Sequence, residues 1–103
     1  MNNFQNLLKQ AQKMQARVTQ MQAELAERKV EATAGGGMVT AVVNGRQELV
    51  GLKLEREVVN PDDTEMLEDL VLAAVNEAMA RAGEVAAEEM RKITGGLNLP
   101  GLL

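Results

Sequence analysis

Residues 30–55 read VEATAGGGMVTAVVNGRQELVGLKLE, three runs of β-forming residues separated by two glycine-containing turns. Apolar and polar residues alternate over 30–34, which is typical of a short strand. The glycines at 35–37 favour a loop or bulge in which the backbone adopts positive φ. Residues 38–43 and 46–55 predict two further strands, so this stretch indicates a small antiparallel sheet.

The dipeptide Asn44-Gly45 predicts a two-residue type I′ hairpin turn between the second and third strands. In that register Val43 faces Arg46 and Val39 faces Val50. One face of the sheet then carries Val39, Ala41, Val43, Val50, Leu52 and Leu54. The other carries Met38, Val42 and Leu49 among Thr40, Gln47 and Lys53. Because this second face is also rich in apolar residues, we expect it to be partly covered.

Residues 3–29, before the sheet, predict one long helix. Its apolar residues are spaced alternately by three and four positions, the 3.5-residue repeat of a coiled-coil seam. They are Phe4, Leu7, Ala11, Met14, Val18, Met21 and Leu25. At 1.5 Å per residue this helix is about 40 Å long. A domain this small cannot cover such a helix, so part of it should project or meet another helix.

A second helix is predicted after the sheet, with Asn60 as its N-cap and Pro61 at its first position. Gly95 is the expected C-cap. The core-facing stripe comprises Leu67, Leu70, Val71, Ala74, Val75, Ala78, Ala82, Val85 and Ala86, extended by Met90 and Ile93. The order helix, three strands, helix predicts an α+β fold in a single domain, residues 1–103. One such monomer cannot bury all these apolar faces, so we expect a homodimer.

The composition argues against catalysis. The 103 residues include no His, Cys, Ser, Tyr or Trp. The usual imidazole acid–base group and the Ser and Cys nucleophiles are therefore missing, and we expect no enzyme and no small-molecule substrate. The glycines at 35–37 match no phosphate-binding motif, and the acidic residues at 62–69 match no calcium loop, so we expect no cofactor or metal.

The chain has no apolar run approaching the roughly 20 residues of a membrane span, and its polar, Gln-rich start does not resemble a signal peptide. We therefore expect a cytoplasmic protein that does not enter a membrane. Its formal net charge is −4, unevenly distributed. Residues 1–23 carry three cations and no acid, whereas residues 55–89 carry eleven acids and two cations. Such asymmetry points to an anionic partner for the basic end.

The three cations of the first helix, Lys9, Lys13 and Arg17, follow one another at intervals of four and share one helical face. Such a row can run along the phosphate backbone of DNA, although it could also be a solvated face. Arg91 and Lys92, in the last turn of the second helix, form a second candidate group, to which Arg81 can be added. Their alternative role is to interact with the dipole of that helix.

Four segments along the chain resemble the YbaB/EbfC family of bacterial nucleoid-associated proteins. They are residues 35–39 (GGGMV), 43–45 (VNG), 69–76 (DLVLAAVN) and 94–101 (TGGLNLPG). They occur in the family's order, and the resemblance extends over the whole chain from the Gln/Lys-rich first helix to the Leu-Pro-Gly tail.

The resemblance implies a long N-terminal helix, a three-stranded antiparallel sheet and a C-terminal helix, assembled as a tweezer-like homodimer with the helices as arms. It also implies binding of double-stranded DNA in the nucleoid, with little sequence specificity and with effects on gene expression. The positions matching the basic residues of the arms are Lys9, Lys13, Arg17, Arg91 and Lys92. The alternative hypothesis is a dimeric helical adaptor that grips another protein through its seam and its Leu-rich tail, residues 97–103.

Overall fold

The computed structural model describes residues 2–95. It contains helix α1 (Asn2–Glu27), strands β1 (Lys29–Ala34), β2 (Val39–Asn44) and β3 (Leu49–Leu54), a 3₁₀ turn (Arg56–Val58) and helix α2 (Thr64–Thr94). The predicted α+β order of helix, three strands and helix is therefore confirmed, and the 3₁₀ turn is an addition. The Leu-rich tail lies outside the described residues.

The strands form one antiparallel sheet in the order β1-β2-β3. The β1–β2 turn contains the three glycines, whose φ angles are 64°, 66° and 92° at Gly35, Gly36 and Gly37. This confirms the predicted positive φ, since residues with a Cβ are disfavoured there. Beyond this turn the two strands pair without interruption, with Ala32 opposite Ala41.

The predicted type I′ turn between β2 and β3 is wrong. Val43 pairs with Leu49 and Val39 with Leu54, so the loop is longer than two residues. The backbone N–H of Gln47 donates to the carbonyl of Asn44 at 3.0 Å, and Gln47 itself has φ 63°. This is the three-residue hairpin loop, a type I turn followed by a left-handed residue. Residues 46–48, predicted to be in β3, belong to this loop.

The reason for the longer loop lies outside the hairpin. Gly45 is buried beneath the end of α1, and its N–H donates to the carbonyls of Leu25 at 2.8 Å and Arg28 at 2.9 Å. A Cβ at position 45 would lie 2.7 Å from Leu25 Cδ2. The absence of a side chain at Gly45 therefore allows a close approach between elements, whereas positive φ occurs at Gln47.

The change in register moves one side chain to the other face of the sheet. At Ala41 and Val39 the shift is four residues, an even number, so Leu52 and Leu54 stay on the predicted face. An irregularity between Val42 and Val43 adds one residue on β3. Leu49 therefore lies on the same face as Val43, not on the opposite face as predicted.

Helix α2 packs across β1 and β2. Ala74, Ala78 and Ala82 are fully buried at successive helical turns, and their small side chains allow the helix to lie close to the sheet. Val58 of the 3₁₀ turn is also fully buried against this core. The buried strand residues are Ala32, Val39, Ala41 and Val43.

The start of α2 differs from the prediction. Its N-cap is Asp63, whose Oδ1 accepts from the N–H of Met66 at 3.2 Å. Asn60 instead begins a turn in which its carbonyl accepts from the N–H of Asp63 at 3.0 Å, with Pro61 in the second position. Pro favours that position of a turn as strongly as the first turn of a helix. Gly95 is the C-cap, as predicted, with right-handed helical φ and ψ.

The seam of α1 is buried only at its C-terminal end. Met21 and Leu25 are 6% and 3% exposed, whereas Phe4 and Leu7 are 66% and 63% exposed. The molecule measures 72 × 25 × 16 Å, and its radius of gyration of 19.5 Å exceeds the roughly 13 Å of a globular domain this size. The first half of α1 therefore projects, as its length predicted.

Candidate nucleic-acid interface

The basic row on α1 is exposed and free of ion pairs. Lys9, Lys13 and Arg17 are all on the surface, and none of the ion pairs within residues 2–95 includes them. Each step of four residues advances about 6 Å along the helix, so the row is about 12 Å long. No acid occurs before Glu24 on this helix. The row therefore presents uncompensated positive charge.

The second predicted group is neutralised by neighbouring acids. Arg91 Nη2 lies 2.7 Å from Glu88 Oε2, and Lys92 Nζ lies 3.1 Å from Glu89 Oε1. The hydrogen bond from Arg91, together with its positive charge, lowers the pKa of the Glu88 carboxyl. The charges of Arg91 and Lys92 are thus compensated by acids of α2 itself, in contrast to those of the α1 row.

The two groups meet at one place. A groove between α1 and α2 is lined by Arg17 and Lys92. The apolar Met21 and Ile93, the acids Glu24 and Glu89, and Gln20 line it as well. Arg91 is not among the residues that line it. The structure therefore brings the last cation of the α1 row beside one member of the second group. The two residues are separated by 74 intervening positions, so no local sequence pattern predicts this proximity.

Two further cations, Arg28 and Arg81, lie near these helices, and only Arg81 is suggested by the sequence as a member of the second group. Arg28 Nη1 lies 3.5 Å from Glu89 Oε1. The two residues are far apart in the chain, so no sequence pattern predicts this contact. Arg81 donates to the carbonyl of Glu31 at 3.0 Å and to Glu77 Oε1 at 2.8 Å. The four-residue spacing of Glu77 and Arg81 is a signal that could have found the second pair.

An apolar surface lies along β3. Helix α2 leaves this strand largely uncovered: Leu49, Val50 and Leu52 are 47%, 52% and 45% exposed, and Leu72 on the helix is 61% exposed. Together with Val75, which lines an apolar depression beside Leu72, these residues form what we call the β3 flank. Contiguous exposed apolar residues of this kind mark interaction surfaces.

The orientation of α2 places Leu72 and Val75 on the side of the helix that faces β3. The carbonyl of Met79 accepts from Gln47 Nε2 at 2.9 Å, next to the start of β3, whereas Arg81 reaches β1 on the opposite side of the helix. Leu72 and Val75 precede Met79 by seven and four residues, and so share its side of the helix. The apolar side of α2 and the uncovered strand therefore face the same region.

Within the described part of the chain, no three His, Cys, Asp or Glu side chains are grouped so as to hold a metal ion. None of the helices over residues 2–95 is sufficiently long and apolar to cross a membrane.

Comparison with known proteins identifies relatives over nearly the whole length. The model of the YbaB/EbfC DNA-binding family matches residues 1–97. A nucleoid-associated protein of Thermoanaerobacter pseudethanolicus is 61% identical over 100 residues, covering 97% of this chain and 90% of the relative. One from Clostridium novyi is 53% identical, covering 97% and 88%. The crystal structure of an uncharacterized Helicobacter pylori protein shares the fold, with a TM-score of 0.82 at 23% identity over 89% of this chain and 97% of that one.

Proposed function

The chain belongs to the YbaB/EbfC DNA-binding family, and on that premise we propose that it binds double-stranded DNA in the nucleoid as a homodimer with little sequence specificity. This role requires no catalysis. The observation that carries the proposal is the exposed row of Lys9, Lys13 and Arg17 on a projecting helix, which forms no ion pair within residues 2–95. The nucleoid-associated names of the relatives support the same location and partner.

The α1 row is suited to phosphates because its charge is not compensated locally. Elsewhere the molecule is strongly acidic, with eleven acids in residues 55–89, and this part repels DNA. Three cations per chain amount to six in a dimer. If all six engage, release of counterions gives a log–log salt slope of up to about −5 for duplex DNA.

Low sequence specificity follows from the kinds of side chain available. The chain lacks a basic recognition helix with several Arg and Asn, the usual readers of base edges in the major groove. Phosphate contacts position a protein without reporting the base sequence. Excess competitor DNA of mixed sequence should therefore remove the protein from any labelled duplex, and a footprint that survives such competition would contradict this part of the proposal.

The test of the DNA-binding row is the triple variant K9Q/K13Q/R17Q, measured by fluorescence anisotropy on a random duplex at several salt concentrations. The matched control is K29Q/R46Q/K53Q, which removes three exposed cations from the sheet side of the molecule. We expect the α1 variant to lose most of its affinity for DNA, and its log–log salt slope to become shallower by up to about 5. The control should change far less in both. Equal losses in the two variants would show that net charge, and not the α1 row, governs binding.

The homodimer is supported by the β3 flank. Among the strands of residues 2–95, β3 is hydrogen-bonded on one side only, which leaves its other edge open in this part of the chain. Leu49, Val50 and Leu52 expose about half of their surface. Open edges with apolar side chains favour association with another chain. A second copy packed on this flank would cover the strand and Leu72 together and would leave the α1 arms of both copies projecting.

The test of the dimer is L72E, with A73E as its control. Ala73 is the next residue of the same exposed helix surface and lies outside the β3 flank, so both variants gain the same charge. Light scattering should give twice the 11.1 kDa chain mass for the wild type and A73E, and close to 11.1 kDa for L72E. A dimeric L72E protein would place the interface elsewhere.

The alternative, a helical adaptor for another protein, is favoured by one observation: Phe4 and Leu7 at the free end of α1 are largely exposed. The salt titration separates the two functions. Electrostatic DNA binding weakens steeply with salt, whereas an apolar grip on a protein does not.

A further inference from the structure

Glu89 connects the two helices through a single oxygen atom. Its Oε1 lies 3.5 Å from Arg28 Nη1, just after α1, and 3.1 Å from Lys92 Nζ in the last turn of α2. The Glu89 side chain is 28% exposed, less than that of any other ion-paired residue among residues 2–95. One carboxylate therefore compensates two cations from different elements.

Cations lie on both sides of Glu89, in grooves that acids also line. It lines the groove that contains Arg17 and Lys92, and also an adjoining groove that contains Arg28 and Arg81. Arg17 is the last cation of the α1 row, so the row and the two cations held by Glu89 lie along neighbouring grooves. Three other acids line these grooves: Glu24 and Glu84, which form no ion pair within the described residues, and Glu88, which is paired with Arg91.

Resting on the proposed function, we propose that Glu89 sets the DNA affinity of this surface by holding Arg28 and Lys92 where a DNA phosphate would otherwise bind them. A carboxylate and a phosphate compete for the same cations because both are anionic hydrogen-bond acceptors. While Glu89 is present, the cations that follow Arg17 along the grooves are compensated, and binding is limited to the α1 row. Without it, the basic surface would continue from Arg17 to Lys92 and Arg28.

The experiment is to compare E89Q with E84Q on a random duplex across a range of salt concentrations. Both variants remove one acid beside the same groove, but only E89Q releases paired cations. Two released cations steepen the salt slope by up to about 1.8 per bound chain. Between 50 and 200 mM salt the affinity of E89Q should therefore fall roughly 12-fold more per bound chain than that of the wild type. E84Q should keep the wild-type slope.

A second variant, R28Q, tests whether Arg28 is one of the released cations, even if E89Q also shifts the helices. In the wild-type background R28Q should hardly change DNA binding, because Glu89 already compensates Arg28. In the E89Q background it should remove about half of the gained slope, one of two released cations. Circular dichroism at matched concentration establishes that each variant remains folded.

The outcomes separate this proposal from the proposed function. A wild type that binds DNA, with E89Q and E84Q showing the same slope, overturns only the role of Glu89. Weaker binding by folded E89Q overturns it as well, since Glu89 would then support the surface. If neither wild type nor E89Q binds DNA at any salt concentration, both proposals fail, whereas binding gained by E89Q alone would support the role of Glu89.

Discussion

Replacing Gly45 by Ala should destabilise the protein because there is no room for a side chain at this position. A Cβ built there lies 2.7 Å from Leu25 Cδ2, 2.8 Å from the Leu25 carbonyl oxygen and 2.9 Å from Leu25 Cβ. The end of the Leu25 side chain could rotate away, but the carbonyl belongs to the last turn of α1 and cannot. The hairpin loop must therefore move away from the helix.

The magnitude follows from what that movement disrupts. Overpacking of a well-packed site costs about 1–3 kcal/mol. The Gly45 N–H also loses its bonds to Leu25 and Arg28, and a buried donor left without a partner costs about 1–3 kcal/mol more. The reduced freedom of the unfolded chain offsets about 0.4–1 kcal/mol. We expect a net loss of about 2–3 kcal/mol, which lowers the melting temperature by roughly 10–20 °C in a domain of this size.

Thermal and urea unfolding, at equal protein concentrations because association shifts apparent stability, measure this loss. G51A is the control: a Cβ there would meet Val42 at an ordinary 3.5 Å, so we expect a change within about 0.5 kcal/mol. G45N separates two explanations for the glycine, a need for positive φ and a lack of space for a side chain. Asn adopts positive φ more readily than Ala, but its side chain needs at least as much space. The reasoning would be refuted if G45A melted within 1 °C of the wild type, or if G45N alone were tolerated.

Two further predictions concern α2. D63A should lower the free energy of unfolding by about 1 kcal/mol, because the hydrogen bond from the Met66 N–H to the N-cap carboxylate is lost. N60A should leave the start of α2 unchanged, as measured by nuclear magnetic resonance chemical shifts. Glu88 should titrate at lower pH than an ordinary glutamate, and R91Q should raise its pKa. Any stabilisation from this pair is present at neutral pH and is lost as the pH falls through the lowered pKa; an unchanged Glu88 titration in R91Q would contradict the contact.

Much of the fold could be predicted because it depends on local periodicity. The 3.5-residue spacing from Phe4 to Leu25 is a property of the chain alone, and it identified α1 as a long helix with part of its seam left over. The glycines of the first turn predicted positive φ because this preference depends on the residue itself, which lacks a Cβ. The family was recognised from short segments, and the match over residues 1–97 confirms it.

In the candidate site, too, features that depend on local spacing could be predicted, whereas contacts between helices could not. That Lys9, Lys13 and Arg17 share a face with no acid near them in sequence is visible from spacing, and the structure adds that they form no ion pair within residues 2–95. Their contact with DNA stays a prediction. That Lys92 faces Arg17 across a groove, while Glu89 holds it, depends on how α1 and α2 pack.

The sequence alone determined the order of elements, the projecting helix and its basic row, because each arises from residues within a few turns of one another. Only the tertiary structure decided the second hairpin, since Gly45 is placed by Leu25 of a different element and not by turn preference. It also decided which cations are compensated, because the Glu89–Arg28 pair joins residues that meet only when the helices pack. Interactions between distant residues depend on the summed geometry of everything between them, and no local pattern encodes that geometry.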